Sequence, residues 1–310
     1  PTWTPTATPS ATPTWTPTAT RTATPTTTPT ATPTEGVDAL AVTAPASVTA
    51  GGAFGVTLTA LNQWGTTATT YRGTVHFTCT DGNSDLPADY TFTAGDAGSR
   101  FFPGVVLRTE GVQRLTATDT VDPGITGFAD IQVGGGTAVS YTIAAPAEVW
   151  SGQPFSISVT ARDQWNNIAT DYGGIISFTS TDPAADLPPD YQFQPGDQGV
   201  HLFTATLNTA GIRTITGTDT ADPGITGTSN NITVRAGGVD HFEIQAPANA
   251  NAGAPLTIQV TAKDAWDNTV TNYYGTVTFT STDAAAALPA NYAYQPSDFG
   301  TRVFSVTLNT

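Results

Sequence analysis

Charge is scarce in this 310-residue chain, since only 11% of its residues are charged, and positive charge is the scarcest. Lys263 is the one lysine, and Lys and Arg number 10 against 25 Asp and Glu, which leaves a net charge of −15. Nucleic acids and anionic lipid surfaces are bound through clustered cations. The charge balance therefore argues against both partners, and we interpret the acidity as a source of solubility.

Cysteine and methionine are nearly missing as well. Cys79 is the one cysteine and methionine is absent, so the chain cannot form an internal disulfide or a thiolate metal cluster. No run of about 18 apolar residues occurs, which argues against a membrane-spanning helix. The sequence begins at Pro1 rather than Met, so we expect a processed product or a part of a longer polypeptide.

The first 34 residues follow a Pro-Thr-Xaa-Thr unit, in which Arg21 replaces one proline. Proline restricts φ and removes amide donors, which predicts an extended, polyproline II-like segment over residues 1–36. Thr-rich sequence with proline is typical of O-glycosylated stalks, and a bare flexible linker is the alternative. The candidate O-glycosylation sites are the alternating hydroxyl residues Thr2, Thr4, Thr6, Thr8, Ser10, Thr12, Thr14, Thr16, Thr18, Thr20, Thr22, Thr24, Thr26, Thr28, Thr30, Thr32 and Thr34.

The remaining residues, 37–310, repeat one sequence unit three times with a period of 101 residues. Apolar and polar residues alternate within each copy, as at Phe155, Ile157 and Val159, which predicts strands with one buried face. About seven short strands in each of the first two copies predict an all-β fold of antiparallel immunoglobulin-like (Ig-like) β-sandwiches in tandem. The landmarks that recur include Trp64, Trp165 and Trp266, Tyr71, Tyr172 and Tyr273, and Leu86, Leu187 and Leu288.

The predicted domains after the 1–36 stalk are 37–136, 137–238 and 239–310. The third copy ends at Thr310, which matches Thr209, and so lacks its last two strands. We expect core-facing residues and strand edges to be exposed there, unless the chain continues or a strand from another subunit completes the sheet.

The recurring tryptophans follow a strand and open a turn. We expect each to cap one end of its own core, because a large aromatic with a polar edge suits a half-wet position. Stacking on a carbohydrate is the alternative.

Four segments carry a family resemblance, and it extends over residues 37–310. They resemble bacterial Ig-like tandem repeats, which implies the Ig-like fold and a place in a secreted or surface-anchored, adhesin-like protein. The resemblance supplies no catalytic residue. The Pro/Thr unit resembles the tetrapeptide-repeat cores of glycosylated extracellular fibrils. The four segments are Val260–Asn268, Tyr274–Asp283, Leu187–Phe193 and Ile215–Thr220.

Catalytic patterns do not stand out. His76, His201 and His241 do not recur between copies, so we interpret them as surface or strand residues. Cys79 is replaced by serine in the other copies, which indicates that a small strand residue suffices. We therefore predict no enzyme, no catalytic residue and no cofactor.

Carboxylates give one metal hypothesis. Asp119 and Asp122, like Asp219 and Asp222, lie in a Thr-Asp-Thr-Xaa-Asp-Pro-Gly segment, and such oxygens could hold Ca²⁺ at a sandwich end or a domain junction. Turn capping by aspartate is the alternative. Asn231 begins the one N-glycosylation sequon, inside the predicted last strand of the second copy, where we do not expect it to be used.

These features predict a structural component of an extracellular, O-glycosylated fibril, stalk or surface array of a bacterium. Covalent glycans and self-association into a filament or array belong to this hypothesis. One alternative is an adhesin or glycan-binding surface protein, with exposed aromatic or acidic groups clustered on one domain. A second alternative is the non-catalytic accessory region of a secreted hydrolase.

Overall fold

Alternating burial along the long strands divides each copy into a core face and a solvent face. In β3, Ala53–Asn62, every second residue from Val56 to Asn62 is buried. The structure is a computed structural model and describes residues 36–310. The predicted stalk and its candidate glycosylation sites lie outside the described residues.

Domain 1 contains eight strands in two sheets. One sheet has the order β1-β3-β6 and the other β2-β8-β7-β4-β5. All pairs are antiparallel except β2 with β8. The strands are β1 Val37–Thr43, β2 Ser47–Thr49, β3 Ala53–Asn62, β4 Thr74–Cys79, β5 Tyr90–Thr91, β6 Ser99–Val106, β7 Gly111–Asp119 and β8 Thr126–Gly134.

Domain 2 has the same plan, with β7 and β8 each replaced by two shorter strands. Its sheets have the orders β14-β11-β9, β13-β12-β16-β17 and β10-β18-β15, and β10 pairs with β18 in parallel. The strands are β9 Ser140–Ala144, β10 Glu148–Trp150, β11 Pro154–Arg162, β12 Ile175–Ser180, β13 Tyr191–Gln192, β14 Val200–Thr206, β15 Gly211–Arg213, β16 Ile215–Asp219, β17 Thr226–Thr228 and β18 Ile232–Arg235.

Domain 3 forms the sheet β19-β20-β23 and the pair β21-β22. Ile244 is 58% exposed, whereas its equivalent Ile143 is 4% exposed, because domain 3 has no counterpart of β15–β18 over it. Within residues 36–310, core-facing residues of domain 3 are thus exposed, and an apolar groove of about 350 Å³ lies open on this domain. The strands are β19 His241–Gln245, β20 Pro255–Lys263, β21 Thr276–Val277, β22 Tyr292–Ala293 and β23 Thr301–Thr307.

The prediction of an all-β fold of tandem Ig-like sandwiches is confirmed, with two short parallel pairs added to the antiparallel ladders. Each domain also has one 3₁₀ turn after its short fifth strand or that strand's equivalent, at Ala94–Asp96, Pro195–Asp197 and Pro296–Asp298. No helix in residues 36–310 is long and apolar enough to cross a membrane.

Candidate functional site

A loop at one end of each sandwich is held in place by an aspartate. In domain 2, Asp182 accepts hydrogen bonds from the backbone amides of Asn208 at 2.6 Å and Thr209 at 2.9 Å. Asp182 is 3% exposed; its burial alone raises the pKa, but hydrogen bonds from Thr209, Ala184 and Asn208 outweigh burial and lower it. Asp81 holds the equivalent loop of domain 1 in the same way.

A glycine with positive φ lies beside this loop. Gly152, with φ +74°, donates its amide hydrogen to the Leu207 carbonyl at 3.1 Å, and Gly51, with φ +75°, donates to Leu107 at 2.8 Å. L-residues rarely adopt this backbone conformation, which favours glycine here. We call the glycine and the loop together the socket: Gly51 with 107–109 in domain 1, and Gly152 with 207–209 in domain 2.

The recurring tryptophans lie in a turn built by a second buried aspartate. Asp163 Oδ1 accepts hydrogen bonds from the amides of Trp165 at 2.9 Å and Asn167 at 2.8 Å. Asn166 adopts φ +69°, which closes the turn. We call residues 163–167 and their equivalents 264–268 the Trp turns.

Each Trp turn binds the socket of the preceding domain. At the first junction, Asn167 Nδ2 donates to the Arg108 carbonyl at 2.6 Å and Asn167 Oδ1 accepts from the Glu110 amide at 3.0 Å. Asp163 Oδ2 accepts from the amide of Gly136, in the linker, at 2.8 Å. The turn is therefore bonded both to the preceding domain and to the chain that leads from it.

The second junction repeats these contacts. Asn268 Nδ2 donates to the Asn208 carbonyl at 2.7 Å and Oδ1 accepts from the Ala210 amide at 2.7 Å. Asp264 Oδ2 accepts from the Gly237 amide at 2.8 Å and also from the Ser151 hydroxyl. The asparagines and aspartates are 2–8% exposed, so these bonds are made away from water, where an unpaired group is costly.

The tryptophan rings fill the space above the socket glycines. A Cβ on Gly51 would lie 1.9 Å from the Trp165 ring, and a Cβ on Gly152 would lie 2.7 Å from Trp266 Nε1. Trp165 packs against the core of domain 1. The expectation that each tryptophan caps its own core is therefore wrong: the turn projects past the end of its sandwich, so the nearest apolar surface belongs to the preceding domain. The recurrence of glycine at 51, 152 and 253 was the signal in the sequence that could have indicated this contact.

Beside the second junction lies an open groove of about 410 Å³. Trp150, 46% exposed, and Trp266, 48% exposed, line it together with Gln153 and Asp264. The groove at the first junction has Thr49 in the place of Trp150. A pair of exposed indole rings is therefore particular to the second junction.

The aspartates with a possible calcium role lie within single turns. Asp119 accepts hydrogen bonds from the Tyr71 hydroxyl and from the amides of Val121 and Asp122, and Asp122 accepts from the Gly124 amide. Asp219 and Asp222 repeat these contacts with Tyr172, Ala221 and Gly224. Within residues 36–310, no group of three or more His, Cys, Asp or Glu is arranged to hold a metal. Calcium binding stays a prediction.

The histidines and the sequon are dispersed. His76 lies on β4, His201 on β14 and His241 on β19, each beside an aspartate. Cys79 is a half-buried residue of β4. Asn231 is exposed and lies one residue before β18, not inside it as predicted.

Comparison with known proteins gives similarity of fold. No family model matches the chain, and no curated protein matches it. Among solved structures, the Escherichia coli adhesin FdeC is 16% identical with a TM-score of 0.47, over 87% of this chain and 88% of that one. InvD of Yersinia pseudotuberculosis is 18% identical with a TM-score of 0.37, over 87% and 83%. Invasin, a bacterial integrin-binding protein, is 18% identical with a TM-score of 0.37, and the match spans 87% of this chain and 55% of invasin.

The second junction predicts a dependence on pH. Burial by itself raises the pKa of Asp264, but hydrogen bonds from Ser151, Asn268 and the Gly237 amide outweigh it and lower the pKa from 3.8 to about 2. Because the folded-state pKa is depressed, the carboxylate's contribution is complete above pH 3.8 and is lost as the pH falls toward about 2. We expect the distance distribution between spin labels on domains 2 and 3 to broaden over that range.

The matched control is Asp264→Asn, whose side chain does not titrate. Its distance distribution should change less between pH 5 and pH 2 than the native one, because of the two carboxylates at this junction only Asp182 of the socket still titrates. A native distribution that stays unchanged through this titration would contradict the role given to Asp264.

Proposed function

We propose that the chain is a non-catalytic spacer of an extracellular bacterial surface protein. Its Ig-like domains form a stiff row, and its Pro/Thr stalk, residues 1–36, carries glycans. One observation carries this proposal: both junctions are closed by the same hydrogen bonds of a buried Asp and Asn, with a Trp ring over the socket glycine. Domains on one chain move relative to each other by default unless a large apolar interface restrains them, so here the buried hydrogen bonds of the junctions have to supply the restraint. Two junctions with the same bonds support a fixed order of domains, which is what a spacer requires.

The charge of the junctions also suits this role. Asp163 and Asp264 are buried, and their oxygens accept hydrogen bonds from amides and side-chain donors rather than from cations. Hydrogen bonds to a buried carboxylate are among the stronger ones in proteins. A surface ion pair is screened by salt, whereas these contacts are sheltered from it, so the junctions should hold across a range of ionic strength.

A matched pair of tryptophan substitutions tests the spacer. Trp165→Ala should lower the stabilising free energy of the first junction by roughly 1.5–2.5 kcal/mol, about half of the destabilisation caused by truncating a fully buried tryptophan to alanine. Trp64, its equivalent in domain 1, is 63% exposed, so Trp64→Ala should leave the stability of the first junction unchanged. The measurement is the width of the distance distribution between one spin label on domain 1 and one on domain 2.

The labels are placed in a Cys79→Ser background, which copies the serine at the equivalent position 180. We expect a narrow distribution in the native chain and in Trp64→Ala, and a broad one in Trp165→Ala. A native distribution as broad as that of Trp165→Ala would show that the junction does not restrain the domains, and the spacer function would fail.

Glycosylation of the Pro/Thr stalk is tested by mass spectrometry. In material from the native source, the peptide that covers residues 1–34 should exceed its sequence mass by multiples of a hexose, because its alternating hydroxyl residues are the candidate attachment sites. The peptide covering 37–72 from the same digest serves as the comparison. A mass equal to the bare sequence would remove glycans from the proposal and leave a plain Pro-rich linker.

The groove with Trp150 and Trp266 favours one second function, binding of a glycan. Sugar rings pack their C–H faces on indole rings and direct hydroxyls to polar groups, and the exposed Gln153 supplies one here. Ligand sites commonly combine apolar walls with a few polar groups in this way. Trp150 has no counterpart in the other domains, where Thr49 and Asn251 occupy its place, so packing of the fold does not require it.

Trp150→Thr tests this second function, because it installs the residue of domain 1. Binding of the chain to an array of neutral oligosaccharides should fall at least about tenfold, the effect of losing one stacking contact of about 1.4 kcal/mol. Phe128→Ala, which removes an exposed ring on β8, should bind as the native chain does. Absence of binding, or equal losses in the two variants, would remove the glycan-binding candidate.

A further inference from the structure

Domain 3 carries a third socket with the same geometry as the other two. Gly253 has φ +73° and donates its amide hydrogen to the Leu308 carbonyl at 2.8 Å, as Gly51 and Gly152 do to their leucines. Asp283 Oδ2 accepts from the amides of Asn309 at 2.6 Å and Thr310 at 3.1 Å. The socket is therefore formed without a neighbour in place.

This third socket is open among the residues that the structure describes. A Cβ on Gly253 would meet only Asn309 Oδ1, at 3.9 Å, where the other sockets hold an indole ring. Asn309 is exposed, whereas its equivalent Asn208 is 2% exposed beneath Asn268. Within residues 36–310, no donor meets the Asn309 carbonyl, whereas its equivalent, the Asn208 carbonyl, accepts from Asn268 at the second junction.

Residues 62–66 of domain 1 form the equivalent of a Trp turn, contact no socket within residues 36–310, and differ in composition. Asn62 stands in the place of the aspartate and accepts from the amides of Trp64 and Thr66 at 3.1 Å each. Its Nδ2 is buried without a partner within residues 36–310, at the position where the other turns have an accepting carboxylate oxygen. Thr66 replaces the asparagine that donates to the socket carbonyl. The turn thus keeps its shape but lacks both groups that bond across a junction.

We propose that the socket of domain 3 binds the Asp-Xaa-Trp-Xaa-Asn turn of another Ig-like domain, and that it requires the Trp, the Asn that donates to the socket carbonyl, and the Asp whose Oδ2 accepts from that Asn and so positions it. The two filled sockets carry the argument, since both hold a turn of this composition through the same hydrogen bonds. The Trp64 turn of a second copy, which lacks both groups, is a poor occupant. Each contact therefore joins the socket of one domain to the turn of another, and two native copies do not join through this surface.

The inference rests on the proposed spacer, because it extends the same junction to a new partner. Its test measures association between chains, whereas the spacer is tested by the width of an existing junction. A stiff junction with no association would defeat only the inference. A loose junction would defeat the spacer itself.

The experiment installs the missing groups in the full chain as Asn62→Asp/Thr66→Asn, with thermal unfolding as the check on folding. Sedimentation equilibrium should show that this variant self-associates at least about tenfold more tightly than the native chain, the effect of one or more added buried hydrogen bonds. Adding Trp64→Ala, which alters an exposed side chain, should weaken the variant's self-association to that of the native chain. Adding Gly253→Val, which blocks the socket, should do the same.

Mixing two chains shows which surface of each one takes part in binding. Asn62→Asp/Thr66→Asn/Gly253→Val presents a turn and no socket, and the native chain presents a socket and a poor turn. Each alone should be monomeric, and together they should form a 1:1 complex that does not grow further. This outcome identifies the partner surfaces without relying on one variant.

Three results would overturn the proposal. If native chains associate as tightly as the variant, the Asp and Asn are not required. If association persists in the Trp64→Ala or Gly253→Val forms, the contact lies elsewhere, for instance in the apolar groove of domain 3. If all chains remain monomeric up to about 1 mM, the effective concentration that a short linker supplies, the socket does not bind the turn between chains.

Discussion

A buried carboxylate at the start of the Trp turn is the interaction on which the arrangement of domains depends. One oxygen of Asp163 accepts the amides that fold the turn, and the other accepts the amide of the linker at Gly136. Folding of the turn, direction of the linker and position of the tryptophan are therefore coupled through one side chain. Because the group is buried, loss of any of these partners leaves a polar atom unpaired, which favours the complete set over partial ones.

The socket also depends on one buried aspartate. Asp182 orients a loop of its own domain, and that loop then offers the Asn208 carbonyl to the next domain. Each junction thus consists of two rigid local structures, each stabilised within its own domain before they meet. Little conformational entropy remains to be lost on contact, which is the usual benefit of preorganised surfaces.

The sequence predicted what depends on local pattern. Alternation such as Phe155, Ile157 and Val159 indicated strands with a buried face, and the period of 101 residues indicated repeated sandwiches. The junctions were missed because their contacts join residues 27 to 113 positions apart, such as Asp163 with Gly136 and Ser151 with Asp264. The short parallel pairs were missed for a similar reason, since a three-residue strand such as β2 has no periodicity to detect.

The regular placement of junction residues has a consequence for how such proteins change length. Each repeat contributes one turn at one end and one socket at the other, so every internal interface is made from the same pair of surfaces. A duplication or deletion of the domain 2 unit in the gene would bring together a turn and a socket that already fit, whereas duplication of domain 1 would place its turn, which has Asn62 and Thr66, against a socket that it does not match. Chain length could then vary between strains without any compensating substitution, whereas a change of half a unit would leave both surfaces without a match.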